Sequence, residues 1–135
     1  MRFVDTNVLL YAISSDPNEA AKADRAAALL NEPDLALSVQ VLQEFYVQAT
    51  RPSAEVPVAH QAAVALMNAL LRFPVQETTV PLMQATLVAR ARWQIDYWDA
   101  AIVEAARALS CDTLLTEDLQ HGQDFNGVLV VNPFR

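Results

Sequence analysis

Short hydrophobic runs alternate along the chain with longer segments in which apolar side chains recur at helical spacing. The short runs predict β-strands at residues 2–5, 35–38, 75–77, 113–116 and 128–131. The helical spacing predicts α-helices at residues 7–13, 19–31, 39–50, 57–72, 80–94 and 96–109. Strands and helices in alternation favour an α/β sandwich built on a mostly parallel sheet. Because the sequence contains no internal repeat or linker, we expect residues 1–135 to form a single domain.

Proline positions support several of these boundaries. Pro17 and Pro81 suit the first turns of helices, where the missing N–H has no intrahelical partner to lose. Pro52 and Pro74 come at the ends of helical segments, and the residue before a proline is biased away from helical geometry. The prolines therefore mark the same alternation that the hydrophobic pattern predicts.

The composition is that of a domain with enough apolar residues for a full core. Of 135 residues, 53% are hydrophobic, and no apolar run approaches the roughly 18 residues of a membrane span. Asp5 interrupts the N-terminal residues before an apolar signal region can form. The single cysteine, Cys111, cannot form an internal disulfide, which fits a reducing cytosol. We therefore expect a cytoplasmic protein with no membrane attachment.

The charge balance is acidic, with 9 basic and 16 acidic residues and a net charge of −7. This balance argues against a module that binds nucleic acids tightly and non-specifically through its surface. It argues less against a nuclease, because some of the acidic side chains can serve to hold a metal ion.

Four acidic residues lie where a carboxylate has no obvious structural purpose: Asp5, Glu44, Asp99 and Asp118. Asp5 and Asp118 follow hydrophobic strands, and sites in open α/β sheets form beyond the carboxyl ends of strands. Each has an ordinary explanation, since Asp5 suits a helix N-cap and Asp118 an acidic turn. Thr6 and Asn7 directly follow Asp5 and are placed to orient its carboxylate. Thr116, at a strand end, is placed to hold Asp118 or a water.

Glu44 and Asp99 lie on predicted helices. Glu44 is at the flank of a buried helical face that contains Phe45, where a solvated charge is the ordinary interpretation. Asp99 shares its helical stripe with Ile102, and an acid facing the sheet is costly unless it is paired or bound to metal. Asp96, three residues earlier, suits an N-cap, and Asp99 would then be a favourable first-turn charge. Capping and metal binding both stay open here, and Asp96 is a supporting candidate.

Together the four acids predict a divalent-metal site. Like charges that converge in one place repel, so such a cluster usually persists because a cation occupies it. Carboxylate oxygens suit Mg²⁺ or Mn²⁺, and phosphodiester hydrolysis is the reaction that best fits such a site. We expect Asp5, Asp99 and Asp118 to bind one ion, directly or through water, and Glu44 to bind a second ion or orient the attacking water. Asp118 is a better ligand candidate than Glu117, which we expect to point to solvent.

The histidine and tryptophan residues add little to this site. We expect Trp93 and Trp98 to lie in the core or an interface, with stacking on a nucleic-acid base as the alternative. His121 is a lone loop histidine, for which a plain surface position is the ordinary interpretation, and His60 has less claim to a role.

The motifs that contain these acids resemble those of the PIN-domain family, and within it the VapC-type toxins of bacterial toxin–antitoxin pairs. The matching segments are residues 4–11, 43–45, 97–102 and 116–120, and the ending at residues 130–134 is similar to that of many members. The resemblance covers the whole chain. It implies a small three-layer α/β/α sandwich with a parallel sheet of about five strands.

The resemblance also implies an activity, that of a Mg²⁺- or Mn²⁺-dependent endoribonuclease whose products carry a 5′-phosphate and a 3′-hydroxyl. The family's acidic quartet falls on Asp5, Glu44, Asp99 and Asp118, and Asn7 and Thr116 match its polar supporting positions. Asp96 is a departure, because such proteins often have a small polar residue there. The implied partners are an RNA substrate, a small antitoxin with a segment in or near the groove, and a second copy in a homodimer.

Other classes of protein fit less well. A haloacid-dehalogenase places a second aspartate two residues after the first, where this chain has Asn7. That class and the receiver-type proteins both place a lysine near the site, whereas Lys22 lies in an early helix. A non-catalytic PIN-like interaction module is the main alternative, although all four acids are present. A housekeeping RNA-processing nuclease is the alternative to a toxin.

Overall fold

The computed structural model describes residues 1–135 and contains a five-stranded sheet with six α-helices. The strands are β1 (Arg2–Val4), β2 (Leu35–Ser38), β3 (Val75–Gln76), β4 (Thr113–Leu115) and β5 (Leu129–Val131). The helices are α1 (Thr6–Ala12), α2 (Ala20–Leu29), α3 (Val39–Ala49), α4 (His60–Leu70), α5 (Val80–Trp93) and α6 (Tyr97–Ala108). None of these helices is both long enough and apolar enough to cross a bilayer.

The strands lie in the order β3-β2-β1-β4-β5, and each pairing between neighbours is parallel. The chain therefore builds outward from β1 to β3 and then returns across the sheet to β4 and β5. Because parallel crossovers are right-handed, this reversal places α1 to α4 on one face and α5 and α6 on the other. The predicted α/β/α sandwich on a parallel five-stranded sheet is confirmed.

Both faces of the central strands are buried. All four residues of β2 are buried, as are Phe3 and Val4 of β1 and Leu114 of β4. A strand covered by helices on both faces is apolar along its whole length rather than alternating, which explains the short hydrophobic runs in the sequence. On one face α6 packs across β2, β3 and β4, with Val103 fully buried.

Two predicted helices are shorter in the structure than the hydrophobic pattern suggested. The segment predicted at 57–72 is helical only in α4, because residues 57–59 lie outside the helix and Ala59, its N-cap, is extended. The Val58 N–H then donates to the Ala49 carbonyl at 2.8 Å, which holds the connection against the end of α3. The segment predicted at 19–31 begins instead with a 3₁₀ turn, Pro17–Glu19, before α2.

The strand predicted at residues 2–5 ends one residue early, at Val4. Asp5 leaves the sheet and becomes the N-cap of α1, and its side chain accepts a hydrogen bond from the Thr6 backbone N–H. The N-cap interpretation of Asp5 is therefore confirmed, and it does not exclude a second role for the same carboxylate.

The fold makes a prediction about the central strand β4. Leu114→Ala removes a fully buried side chain and should lower the free energy of unfolding by about 2–5 kcal/mol. Leu71→Ala is the matched control, because Leu71 is 56% exposed and its truncation should change the free energy of unfolding by no more than about 0.5 kcal/mol. Urea denaturation of both variants measures this difference, and equal losses would contradict the described packing.

Candidate active site

The carboxyl ends of β1 and β4 lie side by side at the point where the chain reverses its direction across the sheet. Open α/β sheets form their binding sites at such a switch point. Asp5 directly follows β1, and Thr116 directly follows β4. Two helices add the other acids, because Glu44 projects from α3 and Asp99 is the third residue of α6.

All four predicted acids line one cavity of about 230 Å³. Its lining consists of Asp5, Thr6, Asn7, Leu10, Glu44, Gln48, Trp98, Asp99, Ile102 and Asp118. Six of the eight predicted site residues are thus brought together at this cavity. Thr116 is buried behind it in contact with Asp5, whereas Asp96 is exposed and does not line it.

Asp5 is the most deeply buried of the four acids, with only 6% of its surface exposed. Its Oδ1 accepts a hydrogen bond from the Thr6 backbone N–H at 2.7 Å, and its Oδ2 accepts one from the Thr116 hydroxyl at 2.8 Å. A buried carboxylate needs such donors, because an unpaired charge away from water is costly. The two hydrogen bonds fix the direction in which this carboxylate faces the cavity.

Asn7 connects the carboxyl ends of the two strands. Its Nδ2 lies 2.9 Å from the Thr116 hydroxyl, 3.1 Å from Asp118 Oδ2 and 3.5 Å from Asp5 Oδ2. Its Oδ1 accepts from the Glu117 N–H at 3.4 Å. The Thr116 hydroxyl also accepts from the Asp118 N–H at 3.1 Å. The Asn7 amide and the Thr116 hydroxyl thereby hold the loop after β4 against α1. They also hold the exposed Asp118 carboxylate at the edge of the cavity.

Glu44 is half-buried and is held by two donors. Its Oε2 accepts from the Thr6 hydroxyl at 2.7 Å, and its Oε1 accepts from Gln40 Nε2 at 3.0 Å. Thr6 therefore bonds to two acids, Asp5 through its backbone and Glu44 through its side chain. Ser38 caps α3 at the end of β2 and so sets where Glu44 lies along that helix.

Asp99 differs from Asp5 and Glu44 because no protein group donates a hydrogen bond to its half-buried carboxylate, which faces the cavity. Asp96 is the N-cap of α6 and accepts from the Trp98 N–H at 3.0 Å. Asp96 thus takes the capping role that the sequence left open. Asp99 lies in the first turn of α6, but its side chain makes no capping hydrogen bond.

Two of the carboxyl groups have raised pKa values. Burial, the largest cause, raises the pKa of Asp5 to about 6, with smaller upward contributions from the charges of Asp118 and Glu44. Hydrogen bonds from Thr116 and Thr6 oppose this rise because they stabilise the ionised form. Burial also raises the pKa of Asp99, and the charges of Asp96, Asp118 and Glu44 add to it.

No basic side chain neutralises this cluster. The salt bridges of the protein join Arg2 to Glu32 and Asp34, Lys22 to Glu117, and Arg107 to Glu104, and none includes an acid of the cavity. The cavity therefore presents oxygen donors and negative charge, which are the ligand properties that Mg²⁺ and Mn²⁺ favour.

The spacing of the donors limits how an ion would be held. No group of three or more acidic, histidine or cysteine side chains is close enough to enclose an ion by itself. Mg²⁺ usually keeps several waters and is bound through one or two carboxylates. The donor set therefore fits a partly hydrated ion, with the remaining acids reaching it through water.

Glu117 corrects one expectation from the sequence. It does not point to solvent but is half-buried, accepting hydrogen bonds from the Tyr11 hydroxyl and from Lys22 Nζ, the latter at 2.9 Å. Burial alone would raise the pKa of Glu117, but these two donors outweigh it and hold that pKa below its usual range. The only lysine in the sequence is thus used to pair the acid next to Asp118, and Glu117 lies outside the cavity.

Sequence reasoning did not assign a role in the site to Gln48, which lines the cavity, or to Gln40, which donates a hydrogen bond to Glu44. Gln40, Glu44 and Gln48 are spaced four residues apart on α3, and that spacing places all three on one face of a helix. This signal was available in the sequence. Leu10 and Ile102 were recognisable only as apolar helix positions, and nothing local marked them as parts of the cavity wall.

The two tryptophans have different surroundings. Trp93 packs edge-to-face on Phe125 with ring centroids 5.3 Å apart, whereas Trp98 is 60% exposed at the rim of the cavity. The expected core or interface position is therefore confirmed for Trp93, while Trp98 lies outside the core. Neither histidine lines the cavity; His121 accepts from the Asn132 N–H, and His60 contacts the Tyr46 hydroxyl.

A larger cleft of about 690 Å³ adjoins the acidic cavity and shares Asn7, Leu10 and Gln48 with it. Its apolar walls come mainly from α1 and the connection between α3 and α4. The acidic residues along it are Asp16, Glu19, Glu55 and Glu117. No arginine or lysine lines it.

Comparison with known proteins identifies relatives of this fold. The sequence model of a family described as "PIN domain" matches residues 2–123. No curated protein sequence matches the chain significantly. A toxin–antitoxin complex from Klebsiella pneumoniae is 20% identical, with 98% of both chains covered and a TM-score of 0.73.

Two further solved structures are similar. FitAcB from Neisseria gonorrhoeae is 21% identical, with 99% of both chains covered and a TM-score of 0.68. VapC20 from Mycobacterium tuberculosis, described as a sarcin-ricin loop cleaving toxin, is 21% identical, with 87% of this chain and 92% of that chain covered and a TM-score of 0.63. At these identities the likeness shows a shared fold.

The raised pKa of Asp5 predicts a pH dependence of stability in metal-free protein. Because the folded protein binds this proton more tightly than the unfolded chain does, the contribution of Asp5 to the free energy of unfolding should fall as pH rises from about 4 through about 6. A shift of about two units corresponds to a loss of roughly 3 kcal/mol at most. The measurement is the free energy of unfolding of wild type and Asp5→Asn at several pH values in EDTA.

Asp34→Asn is the control for the sign of this effect. A hydrogen bond from Arg2 lowers the pKa of Asp34, so its contribution should be lost as pH falls below about 4 rather than as pH rises. If the difference between wild type and Asp5→Asn stayed constant from pH 4 to pH 7, the description of Asp5 as a desolvated carboxylate would be wrong.

Proposed function

The chain belongs to the PIN domain family, a family of nucleases. We propose that it is a metal-dependent endoribonuclease that acts as the toxin of a toxin–antitoxin pair. The observation that carries the proposal is the gathering of Asp5, Glu44, Asp99 and Asp118 around one cavity with no basic side chain among them. Such an arrangement is electrostatically unfavourable without a cation.

The four acids would have different roles around a bound Mg²⁺ or Mn²⁺. Asp5, Asp99 and Asp118 would hold the ion, directly or through water, because their carboxylates face the cavity from three different elements. When bound, such an ion activates a water and neutralises the charge that develops on the reacting phosphate. Thr6, Asn7 and Thr116 would keep these carboxylates in place, through the hydrogen bonds that they already make.

Glu44 would orient the attacking water or help to hold a second ion. Its two oxygens are fixed by Thr6 and Gln40, and each carboxylate oxygen can accept a further hydrogen bond. A carboxylate held in this way accepts from a water in a set direction, which lowers the cost of ordering that water. The leaving 3′-oxygen would then take a proton from solvent, which reaches the exposed Asp118 side of the cavity.

The proposed antitoxin partner has a suitable surface in the cleft beside the cavity. The apolar walls and acidic edge of that cleft favour a segment with both apolar and basic side chains. The Klebsiella relative is described as a toxin–antitoxin complex, which supports a partner of this kind. Because the cleft and the cavity share Asn7, Leu10 and Gln48, a segment in the cleft could extend to the acids.

A homodimer stays a prediction. Exposed apolar side chains of α5, among them Val80, Leu87 and Val88, give a face that a second copy could cover. Two copies would also bring more arginines near an RNA than a single acidic chain supplies. Sedimentation equilibrium of the purified protein measures the oligomeric state directly.

The activity is tested by incubating a total-RNA pool with purified protein in Mn²⁺ and in EDTA. We expect discrete fragments in Mn²⁺, none in EDTA, and a rate lower by at least about 100-fold for Asp99→Asn, because metal-assisted charge stabilisation is worth several kcal/mol. Asp24→Asn is the matched control, since Asp24 is an exposed acid on α2 and should leave the rate unchanged. Equal cleavage by wild type and Asp99→Asn would reject the proposed roles.

Metal binding has a readout that does not need activity. Mn²⁺ should stabilise wild type against thermal unfolding, by about 2.7 kcal/mol at a hundredfold excess over the dissociation constant. Asp5→Asn and Asp118→Asn should lose most of that stabilisation, while Asp24→Asn should retain it. Thermal unfolding with and without Mn²⁺ measures the shift, and a wild type that does not respond to metal would favour a non-catalytic interaction module.

A further inference from the structure

Trp98 occupies an unusual position for a large aromatic residue. It is 60% exposed, although a buried tryptophan removes roughly 150–250 Å² from water. The other tryptophan, Trp93, is packed edge-to-face on Phe125. Trp98 instead lies at the rim of the acidic cavity, next in sequence to Asp99. An exposed aromatic residue therefore lies beside the place where the proposed reaction would occur.

The structure holds Trp98 in place from several sides. Its backbone N–H donates to Asp96 Oδ2 at 3.0 Å, and its carbonyl accepts from Gln40 Nε2 at 3.4 Å. Its ring meets the ring of Tyr97 at 89° with centroids 4.9 Å apart. The same Gln40 side chain also holds Glu44, so the position of Trp98 is linked to that of the catalytic candidates. The two hydrogen bonds fix the backbone of Trp98, and the edge contact with Tyr97 is the one aromatic contact of its ring, so part of the side-chain freedom is already lost before a ligand packs on it.

The charge of the surroundings limits how RNA can be held at this place. No arginine, lysine or histidine lines the cavity, and the chain as a whole has a net charge of −7. Direct phosphate contacts, which dominate most nucleic-acid binding, are therefore scarce beside the acids. Stacking of a base on an aromatic ring needs no positive charge, and every base has a face that can stack.

We infer that Trp98 is a stacking platform for an unpaired base of single-stranded RNA next to the phosphodiester that is cut. This inference rests on the proposed function and adds the mode of substrate binding to it. A base inside a duplex has both faces covered by its neighbours, so we expect the substrate to be single-stranded or looped at that position. Stacking of this kind selects only weakly among the four bases, because it makes no hydrogen bonds to the base edges.

The test compares Trp98→Ala and Trp98→Phe with wild type on a short single-stranded RNA oligonucleotide that wild type cleaves in Mn²⁺. Loss of one stacked base should raise KM by roughly 5- to 150-fold in Trp98→Ala and leave kcat nearly unchanged. Trp98→Phe should restore most of the affinity, since it retains an aromatic face. The salt dependence of binding should be the same in all three proteins, because no phosphate contact is removed.

A spectroscopic measurement reports on the ring itself. Trp93→Phe leaves Trp98 as the single tryptophan of the chain, and its fluorescence should be quenched when the oligonucleotide is added in Mg²⁺ and recorded before cleavage proceeds. The oligonucleotide paired in a duplex should give little quenching. The thermal stability of each variant is measured in parallel; the exposed Trp98 side chain should change it little when substituted, whereas Trp93→Phe should lower it because Trp93 packs on Phe125.

The outcomes separate the inference from the proposed function. Metal-dependent cleavage by wild type with unchanged KM in Trp98→Ala would overturn the stacking role and leave the nuclease intact. A lower kcat that phenylalanine does not restore would assign Trp98 to the positioning of Asp99 instead. Fluorescence that changes with protein concentration rather than with RNA would make Trp98 a contact between copies. Absence of cleavage by wild type together with absence of RNA-dependent quenching in Trp93→Phe would reject both proposals.

Discussion

The Asp5 carboxylate is buried between the carboxyl ends of β1 and β4, and its solvation depends on donors that the protein supplies in place of water. The Thr6 N–H and the Thr116 hydroxyl provide them. Each of these two threonines is also tied to another acid, since the Thr6 hydroxyl donates to Glu44 and the Thr116 hydroxyl accepts from the Asp118 N–H. The need to solvate one buried charge therefore organises three of the four acids.

The distribution of basic side chains is as important as that of the acids. Lys22 pairs with Glu117, and the neighbouring residue, Asp118, has no cationic partner in the protein. The two adjacent acids thus serve different purposes: Glu117 fixes the loop against Tyr11, and Asp118 stays exposed at the cavity. The negative potential of the site is kept because the nearby cation is used elsewhere, and that potential is what makes the cavity suitable for a divalent ion.

An acidic site for an anionic substrate has an evident electrostatic problem. A bound divalent ion would offset the charge of the acids locally, and the net charge of −7 would still disfavour the rest of an RNA. Affinity must then come from contacts that do not depend on charge or from cations of another chain. The exposed ring of Trp98 at the rim and the apolar face of α5 are the features that offer these two routes.

The sequence by itself determined the type of each element, because hydrophobic periodicity and proline positions act over a few residues. All five strands and six helices were predicted, with errors mainly at the ends, as at Pro57 and Asp5, where a local hydrogen bond moved the boundary. The sequence also marked the acids as candidates, and the family membership that it implied is confirmed, whereas the catalytic roles stay a proposal.

Only the tertiary structure decided which of these residues meet. The strand order β3-β2-β1-β4-β5 makes β1 and β4 neighbours and so brings Thr116 to Asp5 across 111 positions of sequence. No local pattern specifies that pairing, because it follows from how the two faces of the whole sheet are covered by helices. For the same reason the sequence did not place Glu117 against Lys22 or Trp98 at the rim: both depend on which distant surfaces come together when the core is buried.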